Sequence, residues 1–189
     1  MRTYNGDFLT RAQLEALGVT CGGDNVLVHV SVAIVDPERL SIGNHTRIDP
    51  FCILTASGGI KLGNHIHISG HCSLVGAGGI EVGDFSSVSH GTRIFSVSDD
   101  WGGEYMQGPT VPNASRHLIE RAVTIKRHAM IGPGCVMLPG VTIGEGAAVG
   151  ALSFITKDIP EWQIWAGIPA RFIRNRRKEL LKFEPLIDP

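Results

Sequence analysis

Apolar residues recur at every sixth position along most of this chain, in groups of three. The groups are Ile42, Ile48 and Leu54, then Leu62, Ile68 and Leu74, then Val82, Val88 and Ile94. Successive groups begin 20 residues apart, so one turn takes three hexapeptides plus two residues, inserted near Gly58-Gly59 and Gly78-Gly79. A period of six fits neither an α-helix, which repeats at about 3.6 residues, nor a lone strand, which repeats at about 2.

The pattern resumes after an interruption with a period of 18 residues and no insertion, at Ile125, Ile131, Met137, Ile143, Val149 and Ile155. Four positions after the apolar residues lie mostly small or thin side chains, which we expect to point inward: Thr46, Cys52, Ile66, Cys72, Ser86, Thr92, Ala129, Cys135, Val141, Ala147 and Ser153. A prism of short strands that turns every six residues satisfies both sets. Its stacked coils would lie about 4.8 Å apart, with inward columns such as Ile42/Leu62/Val82.

Composition narrows the class of protein. The 189 residues are 43% hydrophobic, enough for one folded domain, and the 24 glycines suit tight corners. A net charge of −1 offers no attraction to nucleic acid or to an anionic membrane. The first eleven residues lack an apolar signal region, and no run reaches the roughly 20 apolar residues of a membrane span. We therefore expect a cytoplasmic protein without nucleic-acid or membrane partners.

The four cysteines are Cys21, Cys52, Cys72 and Cys135. Their spacing is too loose for a disulfide-stapled domain, so we expect reduced thiols. Cys52 and Cys72 fall at inward positions above Thr92 and are expected to fill the core.

The repeats IGNHTR, LGNHIH, IGPGCV, IGEGAA and VGALSF resemble those of the hexapeptide-repeat acyltransferases, as does the ending ITKDIPEWQIWAGIPARFIRNR. The resemblance runs from about residue 22 to 174. It implies an all-β solenoid, a left-handed parallel β-helix with an extended loop and a short C-terminal helix. It also implies a homotrimer with sites between subunits, acetyl-CoA as cosubstrate and no metal.

We divide the chain into an N-terminal cap segment (1–21), the β-helix (22–167) with an inserted loop (96–122), and a C-terminal helix and tail (168–189). Thr10 could cap a helix from Arg11 to Leu17, with Leu14 and Leu17 on one face covering the first coil. Pro169 to Phe183 reads as a basic amphipathic helix over the last coil. The loop breaks the repeat and is rich in turn formers, charge and aromatics. Similar proteins use such a loop to reach a neighbouring subunit and close the acceptor site.

Candidate donor-site residues come from the resemblance. Ala151, Thr156, Lys157 and Arg174 match positions where similar sugar O-acetyltransferases hold CoA, and Arg171 is a further candidate. Backbone groups of the last coils would pair with the pantetheine amides, while Lys157 and Arg174 would meet phosphate charge.

The acceptor side departs from the family pattern. Galactoside- and maltose-type O-acetyltransferases place a catalytic histidine after the coil that here ends at Ile94, and the aligned residue is Asp99. The family's partner asparagine falls on Ser69. A mechanism centred on that histidine therefore does not transfer directly.

The ladder offers a substitute. His67 and Ser69 flank an inward residue and should both point outward. The equivalent positions one coil earlier are Arg47 and Asp49, so we expect His67 to lie beside Asp49, which could orient the imidazole. His67 is expected to act as a base or to bind the acceptor.

The segment HISGHCSLVGAGGIEVGDFSSVSHGTRIFSVSDDWGGEYM is similar to a branch that includes perosamine N-acetyltransferases of O-antigen synthesis. This favours the amine of a nucleotide-linked amino sugar, such as GDP-perosamine, as acceptor. Asp99 or Asp100 would hold the ammonium and take its proton, and the amine would attack the thioester within a ternary complex. The acceptor-binding candidates are Asp49, Ser69, His90, Trp101 and Tyr105.

Three alternatives stay open. The chain could acylate a sugar hydroxyl, with His67 as base, or it could be a non-catalytic solenoid. It could also be a γ-type carbonic anhydrase, which binds zinc through three histidines. The spacing argues against zinc, because His71 lies four residues after His67 and six after His65, whereas that family's paired ligands are five apart. His45 and His65 fall at equivalent positions and are expected to form a structural pair.

Overall fold

The computed structural model describes residues 7–187 as a left-handed β-helix of about seven turns. Three sheets form its walls. Sheet 1 contains Phe8–Leu9, Val26–His29, Thr46–Ile48, His67–Ile68, Ser87–Val88, Met130–Ile131, Ala148–Val149, Gln163–Ala166 and Arg171–Asn175. Sheet 2 contains Ala33–Val35, Ile53–Thr55, Ser73–Val75, Arg93–Phe95, Val136–Met137 and Phe154–Ile155. Sheet 3 contains Thr20–Cys21, Leu40–Ile42, Ile60–Leu62, Ile80–Val82, Val123–Ile125 and Thr142–Ile143.

The predicted inward columns are confirmed. Ile42 pairs in parallel with Leu62, and Leu62 pairs with Val82. Every inward residue of both predicted sets is buried, so the prism is filled by side chains. Cys52 and Cys72 are buried free thiols, as predicted, and the Cys72 thiol donates to the Ser89 carbonyl at 3.2 Å.

The N-terminal helix spans Arg11–Ala16 and begins at a capping box in which Thr10 and Gln13 exchange hydrogen bonds. Leu14 is fully buried and packs on the first coil, as predicted. Leu17 is half exposed, so its predicted place on the buried face is wrong. The strand Phe8–Leu9 pairs antiparallel with Val26–His29.

The prediction of an amphipathic α-helix over Pro169–Phe183 is wrong. Arg171–Asn175 instead forms a strand antiparallel to Gln163–Ala166, and a 3-10 helix follows at Glu179–Leu186. The strand forms because Gln163–Ala166 offers unpaired backbone groups that the turning chain can reach. Glu184 fastens the 3-10 helix to the solenoid by bonding His128 at 2.7 Å.

The inserted loop is partly ordered by its own pairing. Val97–Asp99 pairs antiparallel with Leu118–Glu120, and a short 3-10 helix covers Asn113–Ser115. A further 3-10 helix lies at Pro37–Arg39. Within residues 7–187, no helix has the length and apolar character that a membrane crossing requires.

Candidate active site

The outer surface of sheet 1 carries two columns of side chains whose chemistry changes along the solenoid. One column reads Leu27, Arg47, His67, Ser87, Met130, Ala148 and Ile164. The other, one step past each strand, reads Asp49, Ser69, Ser89, Gly132 and Gly150. We call Arg47, Asp49, His67, Ser69, Ser87 and Ser89 the polar face. Sequence reasoning missed Ser89, although the 20-residue period places it below Asp49 and Ser69.

The predicted contact between His67 and Asp49 is present. His67 Nε2 lies 2.8 Å from Asp49 Oδ2, and Arg47 Nε donates to Asp49 Oδ1 at 2.6 Å. Burial raises the pKa of Asp49, but the hydrogen bonds from His67 and Arg47 outweigh it and hold that pKa below its usual value. The carboxylate is therefore ionised at neutral pH and orients the guanidinium and the imidazole.

A ladder of rings borders the polar face. His45 stacks on His65 with ring centroids 4.8 Å apart, as predicted, and His65 stacks on Phe85 at 4.6 Å. All three residues have φ between 53 and 57°, the corner conformation that directs their rings outward in register. His45 and His65, with the Arg47–Asp49–His67 cluster, line a cavity of about 420 Å³.

A second, larger cavity of about 720 Å³ lies between the inserted loop and sheet 2. We call it the loop cavity. Its walls are mostly apolar: Phe95, Val97, Trp101, Val136, Leu138, Pro139 and Phe154. Polar groups enter from the loop at Ser98, Asp99, Asp100 and Gln107. The two predicted acidic residues therefore meet an apolar cavity, and His67 and Asp49 line a separate one.

The two carboxylates differ in what they bind. Asp100 accepts backbone N–H groups from Gly102, Glu104 and Tyr105 at 2.9, 2.8 and 3.2 Å. These hydrogen bonds, above all that from Gly102, lower the pKa of Asp100. Asp99 is engaged through Oδ1 alone among the described residues, by Arg116 and the Gly108 N–H, each at 3.3 Å. Its Oδ2 remains available to a ligand.

The remaining acceptor candidates lie at the margins. The ring of Trp101 is almost fully exposed, and its Nε1 donates to Ser98 Oγ at 2.8 Å. The Tyr105 and His117 rings lie 5.2 Å apart at an interplanar angle of 35°. The ring of exposed His90 lies 5.0 Å from the His71 ring, centroid to centroid. None of the three is directed toward the Asp49–His67 pair by a contact within residues 7–187.

The donor candidates lie in and after the last coils. Ala151, Thr156 and Lys157 are exposed, and the Lys157 ammonium sits 5.4 Å from the centre of the Trp165 ring. Thr156 directly follows the strand Phe154–Ile155, whose Phe154 lines the loop cavity. Arg174 lines a further cavity of about 510 Å³ with Ile164, Arg176 and Arg177. Arg171 donates to the adjacent carbonyl of Ala170.

The four histidines that suggested zinc have other contacts. His65 stacks between two rings and His67 contacts Asp49, while the rings of His71 and His90 lie tilted against each other. Across residues 7–187, no three or more His, Cys, Asp or Glu side chains are grouped so as to hold a metal ion.

Residues 122–157 match the family model described as bacterial transferase hexapeptide (six repeats). A dTDP-4-amino-4,6-dideoxy-D-glucose acyltransferase of Escherichia coli is 36% identical over 96% of this chain and 95% of its own length. The crystal structure of a serine-to-alanine mutant of AntD, an N-acyltransferase from Bacillus cereus, in complex with dTDP-4-amino-4,6-dideoxyglucose and coenzyme A, superposes with a TM-score of 0.91. It is 35% identical over 96% of this chain and 97% of its own.

A galactoside O-acetyltransferase of Escherichia coli K12 is 47% identical, but only over 28% of this chain and 26% of its own length. The β-helix with its inserted loop, together with these relatives, defines the chain as an acyltransferase that uses an acyl-CoA donor. This chain belongs to the hexapeptide-repeat transferase family, and its relatives over the full length act on amino sugars carried by a nucleotide.

Proposed function

We propose that this chain transfers an acyl group from acyl-CoA to the amine of a nucleotide-linked amino sugar used in surface polysaccharide synthesis. The observation that carries the proposal is the extent of the similarity, which covers 95–97% of the relatives and so includes the inserted loop as well as the repeat. A match to the repeat alone would indicate only the fold. The candidate acceptors are dTDP-4-amino-4,6-dideoxy sugars and GDP-perosamine.

Ser89 and Asp99 are the pair we assign to the reacting amine. The solved AntD structures include variants of a serine and of an aspartate that lie ten positions apart. Ser89 and Asp99 are the only serine and aspartate of this chain with that order and spacing. Ser89 lies on the coil just before the strand Arg93–Phe95, and Asp99 lies just after it, in the first strand of the inserted loop.

The chemistry follows from the amine. Its nitrogen attacks the thioester carbon, the C–N bond forms, and the C–S bond breaks as CoA leaves. The ammonium proton passes to Asp99 Oδ2 and from there to the departing sulfur. Asp100, whose oxygens are committed to the loop backbone, holds the loop in shape. His67 and Asp49 bind the acceptor, with a base role for His67 as the alternative.

The donor is proposed to lie along the last coils. Its pantetheine arm would run past Ala151 and Thr156, with the thioester end in the loop cavity beside Phe154. Lys157, Arg171 and Arg174 would bind its phosphates. The remaining acceptor candidates, Trp101, Tyr105 and His90, would border the sugar.

We further propose a homotrimer, in which the loop of one subunit reaches the polar face of its neighbour. Within one chain these two features line separate cavities, so a second copy would complete the site. Because acyl-CoA and nucleotide sugars are cytoplasmic metabolites, we expect a cytoplasmic enzyme.

The test is a thiol-release assay with acetyl-CoA and 3-hydroxybutyryl-CoA against a matched set of acceptors. The set contains dTDP-linked 3- and 4-amino sugars, GDP-perosamine, galactosides and maltose. We expect release only with the nucleotide-linked amines. Release with the neutral sugars alone would replace the proposal by O-acylation, and absence of release with every acceptor would refute it.

A further inference from the structure

We infer that the Arg47–Asp49–His67 cluster is the subsite for the diphosphate of the acceptor. This assignment rests on the proposed function and adds the part of the substrate that the polar face recognises. The cluster lies on the same face as Ser89, two coils away along the column Asp49, Ser69 and Ser89.

The geometry presents a guanidinium and an imidazole above a recessed carboxylate. The side chains of Arg47 and His67 are 50% and 49% exposed, whereas that of Asp49 is 19% exposed. Both oxygens of the carboxylate are engaged, Oδ1 by Arg47 Nε at 2.6 Å and Oδ2 by His67 Nε2 at 2.8 Å. An approaching anion therefore meets guanidinium and imidazole before it meets the carboxylate.

The guanidinium is fixed but has donors left. Its Nε is held by Asp49, and its central carbon lies 5.1 Å from the centre of the Phe8 ring. Within residues 7–187 the two terminal nitrogens of Arg47 make no hydrogen bond. A planar pair of parallel donors held from two sides is suited to phosphate oxygens. His45 and His65 line the same cavity and extend its lining of imidazoles.

The spacing matches a sugar nucleotide lying across the coils. In a 4-amino sugar the amine and the diphosphate lie at opposite ends of the ring. Their separation is of the order of one to two coil rises of about 4.8 Å each. With the amine at Ser89, the diphosphate then reaches His67, one coil away, and Arg47, two coils away.

CoA also contains a diphosphate. The distance of the cluster from the donor candidates distinguishes the diphosphate of CoA from that of the acceptor. Arg47 lies four coils from Ala148, and the donor candidates Ala151 and Thr156 belong to the coil of Ala148. That separation is about 19 Å. The cluster therefore fits the diphosphate of the acceptor.

The test measures binding of dTDP, inorganic pyrophosphate and CoA to the full chain by calorimetry, with Arg47→Met against Lys61→Met. Lys61 is an exposed cation on sheet 3 and controls for the loss of one positive charge. We expect Arg47→Met to weaken dTDP and pyrophosphate about tenfold or more, while CoA is unaffected. Lys61→Met should change none of them.

Unchanged dTDP affinity in Arg47→Met, or weakened CoA in its place, would overturn the assignment. His67→Gln gives a second reading that does not depend on Arg47. We expect a raised KM for the nucleotide sugar with kcat nearly kept, whereas a loss in kcat at constant KM would make His67 the base and refute the subsite. Arg47-dependent dTDP binding by a chain that acylates no amine would support the subsite and refute the proposed function.

Discussion

The coils before the inserted loop and those after it share one architecture, but the side chains on the outer surface of sheet 1 are polar before the loop and apolar or small after it. Before the loop, the outer columns of sheet 1 bear charged and hydroxyl groups from Arg47 to Ser89. After it, the same columns bear Met130, Ala148, Gly132 and Gly150. The core does not distinguish the halves, since inward residues are apolar or small throughout.

This contrast favours binding of the acceptor on the early coils and of the donor on the late coils. Polar side chains of fixed geometry suit an acceptor with phosphates and an amine. The late coils, which lack such groups on sheet 1, carry the exposed Ala151 and Thr156 past which the donor is proposed to run. The loop that carries Asp99 leaves the solenoid at the boundary, where the two substrates would meet.

The largest expected effect is at the boundary itself. Asp99→Asn keeps the size of the side chain but removes the proton acceptor, so we expect turnover to fall by about 10²–10⁴. The measurement is steady-state thiol release with a nucleotide-linked amino sugar. Asp100→Asn is the control and should lose far less. Equal losses in both variants would show that the loop, rather than the Asp99 carboxylate, is what the reaction requires.

The donor half is tested at the loop cavity. Phe154→Ala removes an apolar wall, and we expect KM for acyl-CoA to rise about tenfold, the effect of losing roughly 1.5 kcal/mol of apolar contact. Affinity for dTDP should not change. Ile53→Ala, on the same sheet but in the early coils, should leave both values as they are. A dTDP effect from Phe154→Ala would break the proposed division between the halves.

The smallest effect concerns the corners that only the 20-residue coils possess. Gly59 has a φ of 96°, and a Cβ there would meet only the Arg39 carbonyl oxygen, at an ordinary 3.9 Å, so Gly59→Ala isolates backbone strain of about 1–2 kcal/mol. We expect the melting temperature, measured by circular dichroism, to fall by several degrees. Gly91→Asn, at φ 70°, should be nearly neutral because asparagine tolerates that region. A neutral Gly59→Ala would mean that the insertion does not require glycine.

What the sequence predicts well is whatever the repeat dictates. The columns through Ile42, Leu62 and Val82 follow from periodicity, and so does the meeting of His67 with Asp49, because a coil of 20 residues fixes the register. The loop cavity is not predictable in this way. Its antiparallel ribbon depends on Leu118–Glu120 returning to Val97–Asp99 across a stretch without period.

The C-terminal strand escaped prediction for a related reason. Phe172, Ile173, Leu180 and Leu181 satisfy a helical spacing, but Arg171–Asn175 finds backbone partners in Gln163–Ala166. Tertiary pairing thus overrides the local pattern. Ser89 was missed because it lies among several serines and nothing in the sequence alone distinguishes it. Its ten-residue spacing from Asp99 becomes informative only beside the same spacing of the serine and aspartate varied in AntD.

The antiparallel strands at both extremities have a consequence for how the molecule behaves in a crowded solution. A stack of parallel coils would otherwise end in rows of unpaired amide and carbonyl groups, ready to accept another molecule and grow into a fibre. Phe8–Leu9 with the Arg11–Ala16 helix, and Arg171–Asn175, cover part of these rows with strands of reversed direction. The molecule therefore has a defined length because its two ends no longer resemble its middle.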